Sequence, residues 1–187
     1  MSFGRQKRRS GGLLDLLLNV ILIFALILTA ISAYVSFVSK SGNGVPSIFG
    51  FSFHSILTDS MYPELKAGDL LIDTQVSDPS ELRSGDIITY WTVINGERVL
   101  NTHRIVSVYD GGGFCIFETK GDNNNSVDPM TVHESEIVGT YKARIGGAGK
   151  IFYFLQTSTG FFILIIIAAM LLFASGIRIL KQTFKRR

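Results

Sequence analysis

The hydrophobic pattern divides the chain into three parts. Residues 13–38 read LLDLLLNVILIFALILTAISAYVSFV, apolar on every side of a helix and interrupted only by Asp15 and Asn19 near the start and by small hydroxyl residues later. Residues 159–179 form a second such run, FFILIIIAAMLLFASGIRI from Phe161 onward. A hydrocarbon core of about 30 Å takes roughly 20 apolar residues in a helix, so each run is long enough to cross with some tilt. A globule of 187 residues could hardly bury two such helices on all sides. The pattern therefore predicts two transmembrane helices.

Between them, residues 39–158 alternate apolar and polar positions over short stretches. The alternation predicts strands at 52–57, 70–74, 86–93, 99–107, 114–119 and 137–145. Turn residues separate them: Asn95-Gly96, Gly111-Gly112-Gly113, and the Gly121 to Asn125 run. Asn95-Gly96 between two alternating runs is a hairpin signal. The expected fold is mainly β, an antiparallel domain carried between two transmembrane helices. Gly146-Gly147-Ala148-Gly149 reads as a flexible joint, and residues 151–155 as a segment at the membrane interface with Tyr153 in the headgroup layer.

Charge then orients the chain. Arg5, Lys7, Arg8 and Arg9 precede the first run, and Arg178, Lys181, Lys185, Arg186 and Arg187 end or follow the second. These are half of the 18 basic residues, whereas 14 of the 15 acids lie between the runs. The excess of basic residues at both ends puts both termini in the cytoplasm and the middle outside. The expected organisation is a basic cytoplasmic N-terminus at 1–12, a helix at 13–38, an extracytoplasmic domain at 39–158, a helix at 159–179 and a basic cytoplasmic C-terminus at 180–187. The basic balance thus belongs to the membrane, and no nucleic-acid patch is expected. A competing reading of the first run is a cleavable signal peptide with Ala30-Ile31-Ser32 as the cleavage site. Its apolar core exceeds the usual 7–15 residues, which favours an uncleaved anchor. Asp15 near a helix end is expected to reach the interface.

One cysteine, Cys115, excludes an intrachain disulfide framework. Three widely spaced histidines, His54, His103 and His133, make a zinc site unexpected. Zinc-protease and nucleotide-loop motifs are absent. Three features exceed what a β domain needs: Ser60-Met61-Tyr62-Pro63 on a stiff turn after a strand, His103 in an alternating strand, and the acids Asp122 and Asp128 in a Gly/Asn-rich loop. A serine hydroxyl is a weak nucleophile that needs a base, and imidazole titrates in the right range to serve. A carboxylate fixes the imidazole tautomer and stabilises the cation that forms. The sequence leaves open which of the two acids does so.

Thr58-Asp59-Ser60-Met61-Tyr62-Pro63 with Gly68-Asp69, then Ser84-Gly85-Asp86-Ile87-Ile88, then Thr102-His103-Arg104-Ile105, then Lys120-Gly121-Asp122-Asn123-Asn124 with Asp128, resembles the ordered motif set of signal peptidase I. The histidine at 103, where the common bacterial branch has a lysine, is similar to the endoplasmic-reticulum-type branch found also in archaea and spore-forming Gram-positive bacteria. The resemblance covers about residues 50 to 145 plus the N-terminal anchor. It implies a membrane serine endopeptidase that removes signal peptides after small residues, without cofactor or metal. Ser60 would be the nucleophile, His103 the general base, Asp128 its orienting acid and Asp122 a second required acid. Thr58, with the Ser60 N–H, would form the oxyanion hole. The implied partners are signal peptides of secreted preproteins and the lipid bilayer, with the secretion translocon as a further candidate. Pockets for the small residues are expected along residues 51–57 and 70–76.

Two other readings compete. A sortase-like transpeptidase would use Cys115 with His103 and Arg104, although a cysteine in an alternating apolar strand is expected to be buried and inert. A non-catalytic membrane-anchored β accessory module would leave the Ser, His and Asp motifs without a task. His54 and His133 are expected to be ordinary surface or packing residues, Lys120 a solvated loop charge, and Arg83 and Arg104 ion-pair partners.

Overall fold

A computed structural model describes residues 12–40 and 44–184. The basic residues Arg5, Lys7, Arg8, Arg9, Lys185, Arg186 and Arg187 lie outside that range. The chain divides into two compact units: the helical one comprises residues 1–37 and 155–187, and the β domain Val38–Phe154.

In the helical unit, α1 spans Leu13–Lys40 and α3 spans Ser158–Phe184. At 1.5 Å rise per residue each is about 40 Å long, enough to cross a bilayer. Both expose large apolar side chains all round, among them Leu16, Ile23, Phe24, Phe162, Ile166 and Phe173. That surface calls for an apolar solvent, and the two helices give the protein its membrane association. Polar positions inside the runs have partners. Asp15 accepts from the Arg178 guanidinium at 3.0 Å. Ser32, fully buried, donates to the Leu155 carbonyl at 2.7 Å, and Ser36 reaches the Gln156 carbonyl at 3.2 Å.

The β domain is one eight-stranded antiparallel sheet: β1 (Ser47–Ile48), β2 (Phe51–Ser55), β3 (Leu70–Thr74), β4 (Ile87–Ile94), β5 (Glu97–Asp110), β6 (Cys115–Lys120), β7 (Val132–His133) and β8 (Ile137–Ile145). Their order is β1-β2-β3-β8-β4-β5-β6-β7, so β8 closes the gap between the first three strands and the β4–β7 meander. All six expected strands are present, those at 70–74 and 137–145 with the bounds expected and the other four with shifted ends. The two-residue strands β1 and β7 carry too little alternation to be read from sequence. Asn95 and Gly96 have φ of 54° and 82°, the paired positive values of the tight turn that suits a twisted hairpin.

Alternate residues of a strand face opposite sides, and both sides are used. Leu82, Ile88, Tyr90, Ile105, Phe117 and Val132 form one core. Ile56, Met61, Leu65, Leu71 and Ile87 form the other. In the expected flexible joint, Gly146 and Gly147 form a turn and Ala148 and Gly149 begin a helix, α2 (Ala148–Gln156). Gly149 donates its N–H to the Gly68 carbonyl at 2.9 Å, and its own carbonyl accepts from Ser55 Oγ at 2.7 Å. A Cβ on Gly149 would stand 2.2 Å from the Asp69 carbonyl oxygen, so glycine here serves close packing.

Beside the second core lies a polar cluster that patterning missed. His54, expected to be ordinary, is buried, with Nε2 at 3.2 Å from Thr102 Oγ1 and 3.3 Å from Thr89 Oγ1. Its Nδ1 faces the fully buried Asp73 carboxyl at 3.6 Å. Burial lowers His54 to about 4. Burial raises Asp73 to about 7, the nearby Thr89 hydroxyl working the other way. A carboxyl with a raised pKa stabilises the fold while protonated, and that contribution is lost as pH rises toward about 7. Asp73→Asn should therefore raise the melting temperature more at pH 8 than at pH 5, as read by scanning calorimetry.

Candidate functional site

Ser60 lies in an excursion, residues 56–69, that leaves β2 and returns into β3. Backbone pairing closes its neck: Ile56 N–H donates to the Asp69 carbonyl at 2.9 Å, and Gly68 N–H to the Ile56 carbonyl at 2.8 Å. The Asp59 carboxylate accepts from the Ala67 N–H at 2.9 Å. Met61 and Leu65 are buried in the second core and pin the turn from below. Asp69 accepts from Lys66 N–H, Gly147 N–H and the Arg144 guanidinium. Desolvation works to raise the Asp69 carboxyl, but these donors together hold it below the usual range. The Gly68-Asp69 motif is thus the latch of the excursion.

His103 comes from β5, on the face opposite Thr102. Its Nε2 stands 3.2 Å from Ser60 Oγ and its Nδ1 2.6 Å from Asp128 Oδ2. With Nδ1–H donated to the carboxylate, Nε2 is left as an acceptor for the serine hydroxyl. The same Asp128 oxygen accepts from Thr119 Oγ1 at 2.7 Å and from the Tyr90 hydroxyl at 3.0 Å. Asn101 Nδ2 donates to Tyr90 at 2.9 Å. Burial, together with the Asp128 charge, pushes the Tyr90 hydroxyl up, keeping it protonated and a donor.

The loop after β6 carries Asp128 and also docks on the serine. Asn123 N–H donates to the Ser60 carbonyl at 2.8 Å, and its side-chain amide to the Asp59 carbonyl at 3.2 Å. A Cβ at Gly121 would stand 2.7 Å from that same Ser60 oxygen. Asp128 N–H donates to the Thr119 carbonyl at 2.8 Å and returns the loop to its strand.

Asp122 lies apart from the histidine. It holds Arg104 in a two-pronged pair, Nε to Oδ1 at 2.8 Å and Nη2 to Oδ2 at 2.6 Å, which raises the Arg104 pKa. Arg104 also donates to the Gly85 carbonyl at 2.8 Å. The Ser84-Gly85-Asp86 turn is fastened to β5 through Gly85 N–H to the Ile105 carbonyl and Ile105 N–H to the Asp86 carbonyl. Arg104 is an ion-pair partner as expected. Arg83 is not of that kind: its guanidinium donates to the Ser80 and Leu82 carbonyls. Lys120 ends β6 rather than standing in a loop. His133 is exposed and packs its ring on Phe114, with centroids 4.9 Å apart. Thr58 Oγ1 donates to Ser60 Oγ at 3.2 Å.

Cys115 pairs with Asp110 at the far end of the β5–β6 hairpin, seven residues along β5 from His103. At about 3.3 Å per residue the separation is about 23 Å, so the cysteine and histidine of the sortase-like reading do not meet.

A serine hydroxyl, an imidazole and a carboxylate in line form an arrangement in which the ring can accept the hydroxyl proton. No family model matches the chain. In sequence the chain is similar to signal peptidase I and to the SEC11 catalytic subunits of signal peptidase complexes. It is 35% identical over 121 residues to Signal peptidase I W of Bacillus subtilis (strain 168), 65% of this chain and 61% of the relative. It is 32% identical over 108 residues to the signal peptidase complex catalytic subunit SEC11 of Colletotrichum graminicola, 58% of this chain and 59% of the relative. SEC11 of Metarhizium acridum is 34% identical over 73 residues, 39% of this chain and 41% of that relative. The chain thus spans about three fifths of the length of the first two.

Tyr90, Asn101 and Thr119 escaped the sequence reading, while Gly121 and Asn123 stood in a quoted motif without a role of their own. Asn101 stood two residues from His103 and therefore on the same strand face, which was a usable signal. Because the Gly121 site is filled by backbone, Gly121→Ala should lower the unfolding free energy by roughly 1–3 kcal/mol, measured by denaturant titration.

Proposed function

We propose that the protein is a membrane-bound serine endopeptidase that removes N-terminal signal peptides from exported preproteins, cutting after small residues of the Ala-x-Ala kind. The observation that carries the reading is the hydrogen-bonded line Ser60–His103–Asp128 in a homologue of signal peptidases. Ser60 Oγ attacks the scissile carbonyl carbon while His103 Nε2 takes its proton. Asp128 holds the ring with Nε2 unprotonated and stabilises the imidazolium. The Ser60 N–H and the Thr58 hydroxyl receive the negative charge on the carbonyl oxygen. The Thr58 hydroxyl, which donates to Ser60 Oγ in the resting arrangement, turns to the oxyanion as the serine oxygen is consumed. His103 then returns the proton to the leaving amine, and water repeats the sequence on the acyl-enzyme. Asp122 acts through Arg104, tying the loop that bears Asp128 to β5 and the 84–86 turn.

The two helices serve as anchors, with both termini cytoplasmic and the β domain outside, so enzyme and preprotein meet in one plane at raised effective concentration. The lipid bilayer and the secretion translocon are the partners this placement entails. An extended substrate segment would pair with a strand edge and seat its small side chains in pockets along residues 51–57 and 70–76.

Ser60→Ala should abolish cleavage of a preprotein in proteoliposomes while leaving the melting temperature near that of the parent. His103→Ala should lower turnover by about 10²–10⁴-fold. Near-normal cleavage by either variant would overturn the mechanism. The orientation is checked separately: Glu97→Cys in a Cys115→Ser background should react with a membrane-impermeant maleimide on intact cells, and protection there would place the domain inside.

A further inference from the structure

The strands that bring the serine and the histidine together are not neighbours. Between β2, which leads into Ser60, and β5, which carries His103, the sheet interposes β3, β8 and β4. Small changes in curvature across three strands would therefore alter the 3.2 Å gap between Ser60 Oγ and His103 Nε2. His54 crosses this interval directly. It lies on β2 six residues before Ser60, and its Nε2 reaches Thr102 Oγ1 on β5 at 3.2 Å and Thr89 Oγ1 on β4 at 3.3 Å. The two threonine hydroxyls are 2.9 Å apart and sit at paired positions of β4 and β5. Thr102 immediately precedes His103, so a pull on one face of β5 is delivered to the ring on the other through a single peptide unit.

The cluster is also expensive to keep. Among the described residues, His54 Nδ1 and both Asp73 carboxyl oxygens are buried without a hydrogen-bond partner. A buried polar group left unpaired costs about 1–3 kcal/mol, and well-packed apolar replacements for such groups are often neutral or stabilising. Burial drives His54 and Asp73 toward their neutral forms, in which His54 bridges strands as a hydrogen-bonding group rather than as a charge. A feature that weakens the fold while spanning the two strands of the site points to a task in the site.

We propose that His54 is a positioning residue: by tying β2 to the Thr89–Thr102 pair, it sets the His103 ring at proton-transfer distance from the Ser60 hydroxyl. The proposal rests on the reading of Ser60 and His103 given above. It assigns no contact with substrate to His54, so its effect falls on the chemical step.

The test compares His54→Phe and Thr102→Val, which keep volume and remove the hydrogen bond, with His54→Gln and Thr102→Ser, which keep a hydrogen-bonding atom. All are made in the full chain and assayed on a preprotein in proteoliposomes, with Ser60→Ala alongside. A misplacement near 1 Å can cost about 10²-fold in rate. His54→Phe and Thr102→Val should lower kcat by about 10- to 100-fold with KM unchanged. Both should melt cooperatively, His54→Phe at or above the parent temperature, and His54→Gln and Thr102→Ser should keep most of the parent kcat. Parent-like kcat in His54→Phe and Thr102→Val, with Ser60→Ala inactive, would overturn the positioning role and leave the serine mechanism standing. A change in KM alone, or loss of cooperative melting in both, would overturn it in favour of a pocket-lining or merely structural role. An active Ser60→Ala would remove the mechanism beneath it.

Discussion

The site depends on holding a hydroxyl from one excursion against a ring from a strand four places away in the sheet. Local structure supplies neither distance nor direction for that meeting. The loop after β6 supplies both, because it touches each partner. Its Asn123 N–H holds the Ser60 carbonyl at 2.8 Å, and its Asp128 carboxylate holds His103 Nδ1 at 2.6 Å. Each bond is modest, on the order of 1 kcal/mol net, and somewhat more where a charge takes part. Their value lies in acting on one short segment, so neither contact can relax alone. Gly121 lets the loop approach the serine backbone more closely than any side chain would allow. Asp122 anchors it from behind through the fork of Arg104.

Two Asp–His pairs occupy opposite faces of the sheet, and their surroundings set them apart. Asp128 collects three donors on one oxygen, from His103, Tyr90 and Thr119, and keeps some contact with solvent. Its charge is therefore compensated where it stands, as the carboxylate beside a developing imidazolium needs to be. Asp73 is fully buried, collects no such set, and is driven toward its protonated form. The distances repeat the contrast: 2.6 Å for the first pair and 3.6 Å for the second. In the proposed reaction the first pair moves charge, while the second does its work without any.

Much of this was legible in the sequence. Period-two alternation located six strands, because one face of each is packed on a core and the other is less enclosed. The two apolar runs were plain, although the helices extend beyond them: α3 runs to Phe184 through Lys181, whose polarity hides helical continuation from a hydropathy reading. The ordered motifs named Ser60, His103, Asp122 and Asp128, and their resemblance pointed to Asp128 as the orienting acid, but the residues alone left the choice between the acids open. Six residues separate them, and only the path of the turn decides which faces the ring. The Gly146–Gly149 stretch misled for a related reason. Glycine marks flexibility when it is exposed, yet Gly149 is glycine because the Asp69 carbonyl leaves no room for a Cβ. The His54 cluster had no sequence signal, since its members come from β2, β3, β4 and β5 and share only a face.

The β domain gathers its own stability. Among the described residues, the buried side chains of both cores lie between Ile56 and Val132. The helices in turn present large apolar side chains along nearly their whole length, as a membrane-associated segment would. Changes around Ser60, His103 and the 121–128 loop share partners and should not combine additively. The membrane segments set where the chemistry would take place, and the geometry of the sheet and one loop sets whether it can.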